Sequence, residues 1–486
     1  MTRGASRIGR AVGARVLGVK ASLVVTLALV VALPGYAAEG AETAGPAGEE
    51  RPAGEEHRPL LTLQAVVDVA RARSPLVSVA EARGREAHWQ RVEASALRWP
   101  RFELSGGLAP APRVREEDEE ASDLELLARF MDGFGPSLRA EFTATMPLFT
   151  FGKLRIAREL ASLGVDASEL ETRRAALTSV VQAYRAYALL QWHREIRALL
   201  DEALGRLNRA EEKLEDRLDD GDPTARTQLR KLTLLRARIV RLETEADSVA
   251  GNARAALETL LDLPAGFVVE PWQVWDTAQP PALEDLVALA RQHRPEAQLL
   301  DAAVEARRLQ ASLEWRRLAP DVVLGAQVSG AWTPTIENRS GPFVYDPYNR
   351  FGAGVFLGMR AALDVFTRRA AAGRAEARVE TAQQERSAAW RAIALEIRQA
   401  RDAVLAQGRV LGAYEEAMRA ARAWLQQTAF QFDQGLADFD ELADPLAAYY
   451  EAAGQVWEIR LQERLRWVDL ALHLGLDDPG VLRAAE

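Results

Sequence analysis

The chain has 486 residues and an ordinary balance of 48% hydrophobic and 27% charged residues, so it is long enough for two or three folded domains. The net charge of −9, with no basic stripe along the chain, argues against non-specific binding to nucleic acid. Cysteine is absent, which excludes disulfides, thiolate metal sites and lipid attachment through a cysteine.

The N-terminus has the three parts of an export signal. Several arginines precede an uncharged run at 21–33, and small residues follow, with cleavage expected after Ala37 or Ala38. The run is shorter than the ~20 residues that a membrane-spanning helix needs, so a cleaved signal peptide over 1–38 is preferred to a permanent signal anchor. Residues 39–61, rich in Glu, Gly, Pro and Ala, predict a flexible leader.

The rest of the sequence repeats itself once. Residues 63–109 and 283–329 align at a constant offset of 220, which pairs Pro75 with Pro295. A unit of this length, repeated once, does not indicate a solenoid of short repeats, and it predicts a duplicated half-structure. The two halves are expected at 62–262 and 282–477, with a proline-rich linker at 263–281 and a C-terminal tail at 478–486.

Each half opens with a predicted helix, over about 62–98 in the first half and 282–318 in the second. Apolar residues then fall at alternate positions, as at Leu138, Ala140 and Phe142, and this period predicts β-strands. Four strands are expected, two in each half, at about 101–109, 137–149, 321–333 and 350–366.

The predicted strands have one apolar and one polar face, and two architectures share this pattern. Strands of this length match the wall of a transmembrane β-barrel. They match equally a soluble β-sandwich whose apolar faces pack on a core. Because four strands cannot close a barrel around water, the barrel requires strands from several chains.

The remainder of each half predicts a pair of very long helices. The stretch between Pro147 and Pro223 contains no proline and carries leucines at helical spacing among many charges. A continuous helix from about Lys153 to Asp219 would be roughly 100 Å long, which predicts a coiled coil or a helical barrel. Two helical hairpins are expected, at about 153–261 with a tip at 219–224 and at about 367–475 with a tip at 433–438.

No set of residues in the sequence has the spacing of a catalytic site. The five histidines are scattered, no glycine-rich phosphate loop follows a strand, and no nucleophile elbow is present. Acidic residues at helical spacing are typical of solvated faces. An enzyme is therefore not expected, and neither is a metal site or a cofactor.

Taken together, the export signal, the duplicated halves, the amphipathic strands and the glycine-broken helical hairpins resemble the TolC-type outer-membrane efflux proteins. The most specific segments are 147–153 (PLFTFGK), where a strand leads into a helix, and 432–437 (FDQGLA), at the second hairpin tip. The resemblance implies a mainly α-helical chain with a membrane β-barrel. Three copies would form a twelve-stranded barrel in the outer membrane and an α-helical barrel across the periplasm.

The resemblance also implies a function and a set of partners. The protein would be the passive duct of a tripartite efflux or type I secretion system, in contact with outer-membrane lipid. It would meet a periplasmic adaptor and, through the adaptor, an inner-membrane transporter. The alternative is an exported periplasmic coiled-coil adaptor or scaffold, but such a protein would not need two duplicated strand pairs.

In the family, the hairpin tips dock onto the adaptor. A glycine at a helix end supplies a tight turn that exposes backbone groups and small side chains, although the same turn also serves as a simple connection. The first tip departs from the family because Asp222 and Pro223 replace small or apolar residues. The implied contact residues are Gly221, Asp222 and Pro223 in the first tip and Gly435, Leu436 and Ala437 in the second.

The resemblance further implies an acidic aperture at the periplasmic end, formed by Glu441 and Asp444. These residues are three apart and share one helical face, and threefold symmetry would gather their carboxylates around one axis and favour cations. Asp438 and Asp440 are nearby alternatives, and the helix dipole by itself also explains acids in a first turn. Pro445 is expected to kink or restart the helix and so to displace Asp444.

Overall fold

The computed structural model describes residues 60–112, 134–263, 266–274, 279–336, 346 and 348–483. The predicted signal peptide and almost all of the predicted leader lie outside the described residues. The last two leader residues are not flexible coil: they form strand β1 (Leu60–Leu61), which pairs in parallel with β4 (Val268–Val269) in the linker between the halves.

The two halves contain the same elements in the same order, in agreement with the sequence repeat. The first half consists of α1 (Leu63–Arg73), α2 (Pro75–Ala96), β2 (Arg101–Pro112), β3 (Phe134–Phe149), α3 (Lys153–Asp219) and α4 (Ala225–Leu261). The second half consists of α5 (Leu283–His293), α6 (Pro295–Arg316), β5 (Asp321–Trp332), β6 (Arg350–Arg360), α7 (Val365–Asp433) and α8 (Phe439–Leu474), before a last turn α9 (Gly480–Arg483).

The single helix predicted at the start of each half is wrong, because a proline divides it into two. Pro75 and Pro295 occupy the first position of α2 and α6, where the N–H that proline lacks has no helical partner to lose. Ser74 caps α2 with its hydroxyl, which also accepts a hydrogen bond from Ser179 Oγ on α3 at 2.8 Å. The break therefore fixes the short helices against the long hairpin.

Strands β2, β3, β5 and β6 form one antiparallel sheet in the order β2-β3-β5-β6. The sheet is open, because within the described ranges β2 and β6 pair on one side only. The last strand is shorter than predicted, since it ends at Arg360 and α7 begins at Val365. The strand pairs of the two halves meet at β3 and β5, so that the sheet unites the halves.

Helices α3 and α7 contain 67 and 69 residues and are each about 100 Å long. Each is the longer member of a hairpin, with α4 and α8 as the returning helices. Apolar clusters lie along the hairpins, one around Val180, Tyr187 and Leu257 and another around Ile397 and Trp467. Among the helices of the described residues, none combines the length and apolar character that crossing a membrane requires.

Arg464 on α8 connects the second half to the first half and to the linker. Its buried guanidinium donates from Nη1 to Gln191 Oε1 on α3 at 2.8 Å and from Nη2 to the Gln273 carbonyl. It also stacks on the indole of Trp272, 3.7 Å from the ring centroid. Gln191 in turn donates from its amide nitrogen to the Glu270 carbonyl at 3.1 Å. The linker is thus held by a connected set of buried and partly buried hydrogen bonds.

We expect Arg464→Ala to destabilise the protein by about 3 kcal/mol, because it leaves the buried amide oxygen of Gln191 without its donor. The measurement is denaturant unfolding of the detergent-solubilised protein, followed by circular dichroism. Arg466→Ala is the matched control, since Arg466 is exposed on the same helix and its loss should change stability by less than about 0.5 kcal/mol. Equal effects of the two substitutions would contradict this account of the linker.

Candidate functional site

The four-stranded sheet carries most of its apolar side chains on one face and its charged and amide side chains on the other. The strand register places Leu104 beside Phe142, and Phe142 beside Val328, in one row. One position along, on the opposite face, Glu141 lies beside Ser329. Gln327 donates to the Glu141 carboxylate at 2.8 Å, so the polar face forms hydrogen bonds across strands. The alternation predicted from the sequence therefore produces one continuous apolar surface and one continuous polar surface.

The apolar face of the sheet is uncovered. Leu104 is 76% exposed, and Val355, Leu357 and Met359 on the outer strand are exposed as well. A β-sandwich would bury such a face against a second sheet. In the described part of the chain the other sheet has two strands of two residues each, which is far too small. The sandwich alternative is therefore not supported by these residues.

The two outer strands also lack partners on one side. Strands β2 and β6 contain 12 and 11 residues, and the outward N–H and C=O groups of both have no strand beside them in the described structure. Long unpaired edges are templates for pairing with another chain. The sheet thus presents an apolar surface and two open edges, and all three need a partner that this chain does not supply from its described residues.

Both hairpin tips are closed by the same backbone motif. Gly221 and Gly435 adopt left-handed conformations, with φ of 93° and 71°. The N–H of the following residue donates to the carbonyl five residues earlier, from Asp222 to Arg217 at 3.0 Å and from Leu436 to Gln431 at 2.8 Å. This Schellman geometry satisfies carbonyls that the helix end would leave free, and it explains why glycine stands at both positions.

In the first tip, Asp222 has a structural task. Its carboxylate accepts hydrogen bonds from the Thr224 hydroxyl and N–H at 2.6 and 2.9 Å and from Arg217 at 2.8 Å. These bonds, with those from Thr224 the strongest, lower the pKa of Asp222. Pro223 is exposed beside it. Asp222 therefore stabilises the first turn through hydrogen bonds, and the outer surface of this turn remains exposed.

In the second tip, the three predicted contact residues differ in accessibility. Leu436 is 77% exposed and Gly435 is exposed as well, so both are available to a partner. Ala437 is buried in an apolar cluster with Phe432 and Phe439, whose rings meet edge to face. Its side chain supports the turn from inside.

Glu441 and Asp444 both lie exposed on the first turns of α8. Glu441 belongs to a capping box: its carboxylate accepts the N–H of Asp438 at 3.3 Å, while the Asp438 carboxylate accepts the N–H of Glu441. The Asp444 carboxylate takes part in no hydrogen bond or ion pair among the described residues, so it is the freer of the two carboxylates.

Pro445 does not restart the helix, contrary to one of the two outcomes expected from the sequence. Helix α8 runs from Phe439 to Leu474 with Pro445 inside it. The ring is buried beside Leu446, and only the carbonyl of exposed Glu441 loses its helical N–H partner. Water can serve that carbonyl, so Asp444 stays in register with Glu441.

Basic residues of the first hairpin pair with the acids around the second tip, which sequence reasoning missed. The Lys231 amino group lies 2.7 Å from the Asp440 carboxylate. The two alternative aperture acids, Asp438 and Asp440, are thereby engaged. The full set of contacts is Lys213 with Asp433, Arg217 with Asp438 and Lys231 with Asp440.

The scarcity of lysine in the sequence is a signal for these contacts between the two halves. The whole chain has only four lysines, and three of them follow the predicted signal peptide. Each of these three bonds an aspartate of the second half, since Lys153 Nζ also lies 2.9 Å from Asp321 Oδ1. In an arginine-rich chain, these rare lysines are therefore among the contacts that hold the two halves together, beside arginine pairs such as Arg185 with Asp469.

Comparison with known proteins supports the fold. The chain is similar to CusC, with a TM-score of 0.69 and 14% identity over 85% of this chain and 92% of that one. It is similar to the outer membrane protein VceC from Vibrio cholerae, with a TM-score of 0.65 and 21% identity over 85% and 96% of the two chains. It is also similar to the Campylobacter jejuni CmeC outer membrane channel, with a TM-score of 0.66 and 14% identity over 92% and 95%.

At these identities the similarity establishes the fold. No protein-family model matches the sequence, and no curated protein matches it. The resemblance inferred from the sequence is thus confirmed at the level of architecture: this chain folds like outer-membrane channels. Within the described ranges, no three His, Asp or Glu side chains converge to hold a metal ion.

The ion pairs between the hairpins lead to a prediction for the second tip. Replacing Lys213 and Lys231 together by Gln should remove about 1 kcal/mol of local stability, because exposed pairs contribute 0.2–1 kcal/mol each. Amides of residues 433–446 should then exchange with deuterium roughly fivefold faster in mass spectrometry.

The matched control replaces the same two lysines by Arg, which keeps both charges and should keep the protection. Chemical modification gives an independent version, because acetylation removes the lysine charge whereas reductive dimethylation retains it. Unchanged exchange after loss of both charges would show that the apolar cluster alone holds the tips together.

Proposed function

We propose that this protein is the outer-membrane duct of a tripartite efflux or type I secretion system, and that substrates pass through it without chemistry of its own. One observation carries the proposal: the sheet has an uncovered apolar face, a polar face and two unpaired edges on a chain with the fold of outer-membrane channels. The apolar face and the unpaired edges are unfavourable in water, and a barrel wall accounts for them and for the polar face.

The apolar face is proposed to contact outer-membrane lipid. Strands of 11 to 16 residues are long enough to cross the hydrocarbon core when tilted, since about 9–11 residues suffice. The opposite face would then line a water-filled lumen, where Arg139, Glu141 and Gln327 would remain hydrated. In this orientation the apolar face contacts lipid and the polar face contacts water.

Three copies of the chain are proposed to close the barrel. If β6 of each copy pairs with β2 of the next, the four strands per chain give a twelve-stranded barrel without free edges. The long hairpins support the same assembly, because apolar side chains such as Leu234 on α4 and Phe430 on α7 are exposed in the single chain. Neighbouring hairpins in a periplasmic helical barrel would cover them.

The hairpin tips are proposed to meet a periplasmic adaptor, which would link the duct to an inner-membrane transporter that supplies the energy. The exposed residues Gly221, Pro223, Gly435 and Leu436 are the side of each tip that a partner would touch. Ala437 would act from within the turn. The predicted export signal agrees with this location, although it lies outside the described residues.

The aperture is proposed at Glu441 and Asp444, with Asp444 as the main cation-facing group because no other described residue bonds it. The ion pairs of Asp438 and Asp440 with the first hairpin would hold the aperture narrow. The rival, a periplasmic adaptor or scaffold, leaves the two-faced sheet without a purpose, so the duct accounts for more of the molecule.

The experiment is conductance of the purified protein in planar lipid bilayers under a KCl gradient. The wild-type protein should form channels that favour cations, and Asp444→Asn with Glu441→Gln should reduce the cation-over-anion permeability ratio several-fold. Gln at 441 preserves the capping box, so the change reports on charge. Asp68→Asn, an exposed carboxylate on α1, is the control and should leave selectivity unaltered.

Two results would count against these proposals. Absence of channel activity in the wild-type protein would argue against the duct. Channels whose selectivity is the same in the double variant would leave the duct in place and remove Glu441 and Asp444 from the aperture.

A further inference from the structure

We propose that neighbouring copies of this chain are clasped where their strands meet their helices: segment 363–366 of one copy packs on turn 99–101 of the next. The proposal rests on the trimeric barrel and names the side chains at its seam. Segment 363–366 covers the end of the connection from β6 and the first residues of α7, and turn 99–101 covers the end of the connection from α2 and the first residue of β2. We call the two segments together the seam clasp.

The chain contains an internal template for this contact. Where β3 leads into α3, Lys153 Nζ donates to the Ala319 carbonyl at 2.7 Å and to Asp321 Oδ1 at 2.9 Å. Arg316 Nη1 donates to the Phe151 carbonyl at 2.9 Å. The strand-to-helix junction of the first half is therefore fixed onto the turn that leads from α6 into β5.

The sequence repeat says what the equivalent contact must be. At the offset of 220, turn 319–321 corresponds to turn 99–101 of the first half. The strand-to-helix junction of the second half is segment 363–366. Within one chain these two segments cannot meet, because they flank β2 and β6 at opposite edges of the sheet. In a closed barrel, the same two segments come together between adjacent copies.

The side chains of the seam clasp are uncovered in the single chain. Phe366 is 93% exposed, Leu363 is 88% exposed and Trp99 is 62% exposed. Aromatic side chains each bury 150–250 Å² when packed, so Trp99 and Phe366 alone represent a large area that is not yet in contact, and Leu363 adds to it. Their position beside the two unpaired edge strands makes the contact continuous with the β2–β6 seam.

The charges of the seam clasp are reversed relative to the internal template. Asp321, which receives Lys153, is matched in the repeat by Arg101. On the opposing segment the charged residue is Asp364, whose carboxylate is half exposed and bonds Arg368 in its own helix at 2.7 Å. An acid on one segment thus faces a base on the other. This complementarity favours a second copy over lipid, which would cover the aromatic residues alone.

Disulfide trapping in the full-length chain tests the clasp, and the absence of native cysteine makes every disulfide an engineered one. Trp99→Cys with Phe366→Cys should give a covalent trimer after mild oxidation, seen on a non-reducing gel. A bond within one chain is excluded, since three strand spacings separate the edges by about 14 Å, against a limit of about 7 Å between Cα atoms.

Two controls accompany the double variant. Trp89→Cys with Phe366→Cys replaces another exposed tryptophan, on α2 but away from the turn, and should give no cross-linked species. Each single cysteine variant should remain uncross-linked as well. A trimer by mass in detergent that yields no covalent product from Trp99→Cys with Phe366→Cys would overturn the clasp while leaving the duct intact, and lipid would then be the occupant.

A charge exchange provides the second measurement. Arg101→Glu should lower the temperature at which the trimer dissociates, and Arg101→Glu combined with Asp364→Arg should restore it, because the pair is then re-formed in the opposite sense. No recovery in the combined variant would remove the charge pair from the clasp. A wild-type protein that is monomeric in detergent would overturn both the clasp and the barrel.

Discussion

The backbone groups at a sheet edge need hydrogen-bond partners, and an apolar surface is unfavourable in water. Over the residues that the structure describes, the four-stranded sheet of a single chain has both unpaired edges and an uncovered apolar face. The alternation of Leu104, Phe142 and Val328 with polar neighbours separates the two faces, and the order β2-β3-β5-β6 leaves both outer strands unpaired. These demands are resolved together when copies of the chain share one barrel. The helices then continue from strands that are already arranged around an axis, so the sheet sets the geometry of the hairpins.

The second requirement is that the two halves of each chain move as one. Every lysine in the described residues bonds an aspartate of the other half, at the junction with the sheet for Lys153 and near the tips for Lys213 and Lys231. Between these ends, Arg464 joins α3, α8 and the linker through buried hydrogen bonds. The contacts differ in strength, since the Arg464 set is buried whereas the pairs near the tips are exposed and weak. Any opening of the chain is therefore easiest at the tips.

Local sequence rules predicted what depends on period and turn chemistry. The repeat, the two-faced strands and the glycines of both tips follow from side-chain spacing and from the left-handed turns at Gly221 and Gly435. The split of the first helix at Pro75 was also readable from the preference of proline for a first helical position. The pairing of Lys231 with Asp440 and the burial of Ala437 were not, because they depend on how two distant hairpins pack side by side. The continuity of the helix through Pro445 was not predictable for the same reason, since the burial of its ring depends on the same packing.

We propose that this sheet is one third of a closed barrel wall in the outer membrane. Membrane fractionation followed by native mass spectrometry of the detergent-extracted protein tests it most directly. We expect a species from the outer-membrane fraction with three times the mass of the processed chain. A soluble monomer, or a protein confined to the inner membrane, would contradict it.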